Sequence, residues 1–134
     1  MTYGIIATDT IQSSTTGTPP QFNDGSGTQI GTLCRAWVNF NGSSATKNAS
    51  FNVSSVTRNG TGDYTVNFTN ALTDANYGVN TTSGQSGGSG AASSIARVAN
   101  VTTPLTTTSC RVYSLDPPQN NLVDVSIFTV SVFR

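Results

Sequence analysis

The stretch FNVSSVTRNGTGDYTVNFTNAL, residues 51–72, decides the fold. Two runs rich in Val, Phe, Tyr and Thr flank the tetrad Asn59-Gly60-Thr61-Gly62. Asn and Gly tolerate positive φ, so the tetrad closes a tight antiparallel turn at little cost and the stretch reads as a β-hairpin. After the turn, Tyr64, Val66 and Phe68 alternate with polar residues, the period of a strand with one buried face. The strand before it spans about 49–58, with Phe51 and Val53 on one face. Its next apolar residue is Val56, so the phase slips by one at Ser54-Ser55, as a β-bulge requires.

Upstream, CRAWVNFNG (34–42) alternates too. Cys34, Ala36, Val38 and Phe40 take one face; Arg35, Trp37 and Asn39 take the other. Downstream, a weaker strand over 75–81 turns Tyr77 and Val79 inward, and TTSGQSGGSG (81–90) reads as a flexible loop. Strands follow at 92–102 and 106–115, separated by Pro104. The loop 116–121 leads into LVDVSIFTVSVFR (122–134). From Ile127 onward that last strand is apolar on both faces, with Phe128, Val130 and Val132 on one side. Such a strand is expected to be covered on both sides, the second cover being another subunit. Cys34-Arg35-Ala36-Trp37 is echoed by Cys110-Arg111-Val112-Tyr113. If those strands are neighbours, their Arg–aromatic faces join into one amphipathic strip.

The composition agrees with an all-β chain. Ser and Thr number 39 and Asn 13 of 134 residues, against 9% charged residues. All six acids are Asp and Lys47 is the one Lys, so good formers of exposed helix are scarce. The expected architecture is a single antiparallel β-sandwich, jelly-roll-like, over 33–134. Before it, residues 1–32 are punctuated by Pro19-Pro20 and Asp24-Gly25-Ser26-Gly27 and read as an extended arm that needs a partner surface.

Function is narrowed mainly by what is missing. The formal net charge is zero and no basic run exists, which does not fit nucleic-acid binding. No apolar run approaches the ~20 residues of a membrane span, and the opening MTYGIIATDT lacks the basic and apolar regions of a Sec signal. Without His, neither Ser-His-Asp nor Cys-His catalysis is available. Without Glu, a glycosidase would need two of Asp63, Asp74, Asp116 and Asp124. Asp63 and Asp74 read instead as turn caps. Two cysteines and no His exclude a structural zinc site, and no cofactor motif occurs. Cys34 and Cys110 are either buried thiols or a cross-strand disulfide. A non-enzymatic protein that recognises surfaces remains. Trp37, with Arg35 on its face, either anchors an interface, stacks on sugar, or fills a second layer of the fold. Arg111, Tyr113, Phe128, Val130 and Val132 complete the candidate interface. Ser83, Gln85 and Ser86 in the Gly/Ser loop, with Gln119 and Asn120 in the later loop, are the candidate ligand contacts.

CRAWVNFNG (34–42), NVSSVTRNGTGDYTVNFTNAL (52–72) and SIFTVSVFR (126–134) together resemble a small β domain. That domain recurs in tail-fibre and other virion proteins of tailed phages, notably phages of cyanobacteria and marine bacteria. The leader IQSSTTGTPPQFNDGSGTQIG (11–31) is similar to the segment that precedes it there. The resemblance implies a virion protein, homotrimeric and released by lysis, in contact with tail, baseplate or capsid proteins. It implies a short tail fibre or receptor-binding module that attaches to a host glycan or protein. The alternative is a capsid decoration protein that clamps coat subunits through the arm.

Overall fold

A computed structural model describes residues 8–14, 20–84, 95–116 and 121–134. The chain divides into two units, Met1–Leu33 and Cys34–Arg134. In the first, β1 (Phe22–Asn23) pairs with β2 (Gln29–Gly31) as a minimal hairpin. Its turn is tied by Asp24, whose Oδ1 accepts from the Ser26 and Thr28 amides, both at 2.9 Å. Ile11, Phe22 and Ile30 of this unit are exposed.

The second unit is an all-β, antiparallel sandwich. Its strands are β3 (Cys34–Asn41), β4 (Thr46–Phe51), β5 (Val53–Gly60), β6 (Asp63–Phe68), β7 (Gly78–Gly84), β8 (Ile95–Val98), β9 (Ser109–Asp116), β10 (Asn121–Leu122) and β11 (Ile127–Phe133). A front sheet runs β4-β3-β11-β7. A back sheet runs β10-β9-β6-β5, with β8 also paired to β9. This order refines the jelly-roll-like expectation, because β3–β4 and β5–β6 are hairpins that each stay within one sheet. The expected bulge is present: the β5–β6 register shifts between Val53 and Ser55.

Alternation packs the core. Ala36, Val38 and Phe40 of β3 lie opposite Val132, Val130 and Phe128 of β11. They face Tyr64 and Val66 of β6 and Cys110 and Val112 of β9, all buried. Phe40, Tyr64 and Phe128 form an aromatic trio with centroids 5.1–5.5 Å apart that joins the two sheets. Cys34 and Cys110 are free thiols on strands of different sheets. Burial pushes the Cys110 thiol up to about 12.

Two strands read as continuous in the sequence are each broken in two. The strand expected over 49–58 is β4 and β5, which belong to different sheets. The break is Asn52, at φ 54°, the left-handed region that Asn enters more readily than most residues. Its side chain locks the corner: Nδ2 donates to the Arg35 and Asn70 carbonyls at 3.0 and 3.2 Å, and Oδ1 accepts from the Asn70 amide at 2.8 Å. Val53 enters the core, and Phe51, expected beside it, stays 56% exposed. Likewise 122–134 is β10 in the back sheet and β11 in the front sheet. The chain crosses between them at Val123–Ser126, where Asp124 binds the β5–β6 turn. The Asp124 carboxylate accepts from the Gly62 amide at 2.9 Å, the Tyr64 hydroxyl at 2.8 Å and Nη2 of Arg58 at 2.6 Å. Asp124 therefore holds the turn that Asp63 was expected to cap. Asp63 takes Nε of Arg111 at 2.8 Å, and Asp74, which does cap its own turn at the Asn76 amide, also takes Arg134.

Two measurements check these readings. Asn52→Ala loses the hydrogen bonds and puts a residue with a Cβ but no side-chain hydrogen bonds into left-handed backbone, a loss of about 2–4 kcal/mol in denaturant unfolding. Asn52→Gly loses the hydrogen bonds alone and is expected to fall short of that; equal losses would remove the backbone argument. The second concerns pH. Hydrogen bonds from Arg111 and Arg134 hold Asp63 and Asp74 below the usual carboxylate range. For Asp124, burial pulls upward and is outweighed by Arg58, Gly62 and Tyr64. A depressed folded pKa stabilises fully above the unfolded value of ~4 and is lost as pH falls through the folded value. With no His in the chain, thermal midpoints are expected to be flat from about pH 5 to 8 and to drop below about pH 4. The drop is shallower in Asp124→Asn, which has one fewer group to protonate.

Candidate functional site

The two Arg–aromatic motifs do not form one strip. β3 lies in the front sheet and β9 in the back sheet, so Arg35 with Trp37 and Arg111 with Tyr113 stand on opposite outer faces. The two faces differ in how far their polar groups are already engaged.

The outer face of the back sheet is a lattice of hydroxyls and amides bonded to one another. Asn67 Nδ2 donates to Ser55 and Thr57, at 3.0 and 3.1 Å, and Asn59 Nδ2 donates to Thr65 and Asp63, at 2.9 and 3.1 Å. Arg111 is locked to Asp63 through two nitrogens. Tyr113, opposite Arg97 in the β8–β9 ladder, has that guanidinium 5.9 Å from its ring centroid. Arg111 and Tyr113 are both half-buried.

The outer face of the front sheet is different. Trp37 and Phe51 are direct cross-strand partners and are 36% and 56% exposed. Such opposed residues have Cβ atoms ~5 Å apart, close enough for two rings to present one continuous apolar surface. The next outward row is polar: Asn48 Nδ2 donates to Asn39 Oδ1 at 2.7 Å, and Asn39 Nδ2 to Thr129 Oγ1 at 3.2 Å. Ile127 stands exposed further along β11. Arg35 is two residues before Trp37 in β3, at a β-bulge where the pairing with β11 passes from Ala36 to Cys34, and forms no ion pair among the described residues. An aromatic platform beside amides and a guanidinium is a surface for the apolar face and hydroxyls of a sugar, or for a protein partner.

Other candidate residues fall elsewhere. Phe128, Val130 and Val132 are 0–1% exposed. They are core, not interface, because the β3–β11 register turns them toward Tyr64 and Val112; the residues of β11 that face out are Ile127, Thr129, Ser131 and Phe133. Ser83 is not in a loop: β7 continues to Gly84, and Ser83 pairs with Phe128 on the inward side of the sheet. Gln85, Ser86, Gln119 and Asn120 lie outside the described residues. Phe51 is the site residue that alternation misassigned, and the signal for it was Asn52, a residue apt to end one strand and start another. Among the described residues no three metal-ligating side chains cluster, and no helix is long and apolar enough to cross a membrane.

No protein-family model matches the chain, and no curated protein matches it in sequence. A solved structure shares its fold: the crystal structure of the phiAB6 tailspike in complex with three-repeated oligosaccharides of Acinetobacter baumannii surface polysaccharide. The alignment covers 95% of this chain and 30% of the tailspike chain, at 19% identity and a TM-score of 0.52. The chain thus spans under a third of the tailspike chain, and what the two share is an all-β fold.

Proposed function

We propose that this chain is a structural protein of a phage particle, a tail-fibre or receptor-binding module that attaches to the surface of the host. The observation that carries the reading is the Trp37–Phe51 pair, left exposed on a fold that also occurs in a tailspike crystallised with oligosaccharides. The role is binding, not catalysis. The chain has no His or Glu, and Asp63, Asp74 and Asp124 are each held by an arginine. The ligand is a host glycan or protein met by the outer face of the front sheet. The arm carries the attachment to other virion proteins or to sister chains, since Ile11, Phe22 and Ile30 have no core of their own to enter. Several copies in one particle convert weak contacts into firm attachment. The assembly we propose is a homotrimer that reaches the virion in the host cytoplasm and leaves by lysis.

Gold-labelled antibody on intact particles tests the location. Label at the tail or its fibres is expected. Label spread over the head would replace this reading with capsid decoration, and particles without label would end both. Light scattering of the purified protein tests the assembly, with a mass three times the 13.9 kDa of the chain expected and a monomer mass overturning the trimer.

A further inference from the structure

We infer that the front-sheet face selects anionic sugars, with Arg35 as the partner of the anion and Trp37 and Phe51 as the platform for the ring. This inference rests on the glycan-binding reading and specifies its ligand class. The argument begins with the charges. The zero net charge of the chain conceals a division, because Asp9 and Asp24 lie in the first unit while Cys34–Arg134 carries six cations and four aspartates. Three of those aspartates are taken by Arg58, Arg111 and Arg134. Of the remaining cations, Lys47 donates its ammonium to the Val53 and Ser54 carbonyls at 2.7 and 2.8 Å, and Arg97 lies against Tyr113 on the back sheet. Among the described residues, Arg35 is left as the front-sheet cation whose charged group has no carboxylate, carbonyl or ring against it. No aspartate belongs to any strand of that sheet.

Its position gives the charge a use. Arg35 precedes Trp37 by two residues, on the order of 7 Å along the strand, and is the extra residue of a β-bulge opposite Phe133; that spacing is the scale of one sugar ring with a charged substituent. β4 ends at Phe51, opposite Trp37, and the Asn52 side chain that follows donates to the Arg35 carbonyl at 3.0 Å, which fixes the Arg35 backbone beside the aromatic pair. A ring stacked on Trp37 and Phe51 can therefore extend a carboxylate or sulfate toward Arg35. A guanidinium pairs with such groups in a fork of two hydrogen bonds. Asn39 and Asn48 use one amide proton each within the ladder, which leaves a second proton on each for ring hydroxyls.

The test is affinity electrophoresis of the full chain through gels containing carboxylated polysaccharides (polygalacturonate, alginate), a sulfated one (dextran sulfate) or neutral dextran, with the fluorescence of the sole tryptophan followed in parallel. Retardation by at least one anionic polymer, with a change in Trp37 emission, is expected, and neutral dextran should leave mobility unchanged. The carboxylated and sulfated arms tell which anion the site takes. Arg35→Gln should weaken binding about tenfold or more, Arg35→Lys should recover part of it, and Trp37→Ala should abolish the interaction. Wild-type thermal midpoints in the Arg35 variants exclude misfolding as the cause. Equal retardation by dextran, no retardation in any gel, or full binding by Arg35→Gln overturns the inference. Retardation by neutral dextran that depends on Trp37 but not Arg35 would overturn it while leaving glycan binding intact. Failure of the wider reading shows separately, as gold label away from the tail.

Discussion

The carboxylate of Asp124 is the constraint on which the sandwich depends. It sits where the chain leaves the back sheet for the front one, and it binds the β5–β6 turn through Gly62, the β5 strand through Arg58 and the aromatic core through the Tyr64 hydroxyl. One residue later, the Val125 carbonyl accepts from the Gly42 amide at 2.8 Å, which ties in the β3–β4 turn. The approach is close enough to require glycine. A Cβ on Gly42 would collide with the Tyr64 hydroxyl and the Val125 carbonyl, and one on Gly62, at φ +64°, would meet the backbone of Ser114 and Val123. Because β11 starts two residues beyond Val125, this end of the molecule determines how β11 enters between β3 and β7, and so which of its side chains reach the core.

The same pairing governs the surface. A chain with so few charges has little to spend on ion pairs, yet three of its five arginines hold aspartates through short contacts. Exposed pairs of this kind contribute little stability individually. Asp124 and Asp63 are better placed, since their carboxylates are 20% and 12% exposed and accept further hydrogen bonds from neutral donors. What the pairing does for function is to remove most of the charge from circulation. Among the described residues the outer face of the front sheet keeps the exposed Trp37 and Phe51 and the Arg35 guanidinium, which has no ion pair.

Alternation in the sequence reveals which side chains share a face, and in β6 and β3 that was enough to place Tyr64, Val66, Phe68, Ala36, Val38 and Phe40 inside. The hairpin and its bulge were legible because turn chemistry and phase are local. Alternation does not say which sheet a strand joins. That is decided by corners such as Asn52 and Asp124, whose effect depends on partners far along the chain: Asn52 binds the Asn70 backbone and Asp124 binds Gly62. Hence 49–58 and 122–134 each resemble one strand, alternation puts Phe51 on the face of Val53, and Phe128, Val130 and Val132 suggest an interface although they enter the core. Trp37 and Arg35 were visible as candidates from β3 alone. Their companion Phe51 was not, because it becomes their neighbour only once Asn52 has turned the chain.

The contrast between the two outer faces then has a physical reading. On the back sheet, each outward polar row is closed by bonds within the sheet, so a ligand must break contacts such as Asn67 to Thr57 before it can make its own. On the front sheet the Trp37–Phe51 pair has no such contact to lose, and its burial by a ligand is favourable from the outset. The protein already has an aromatic core of Phe40, Tyr64 and Phe128. Placing two more aromatic residues opposite each other on exposed strand positions adds nothing to that core. Single exposed apolar residues are ordinary in a folded protein, but two aromatic residues opposite each other on a largely polar face invite association. In the proposed binding role, the amides and the guanidinium around the pair suit a polar partner.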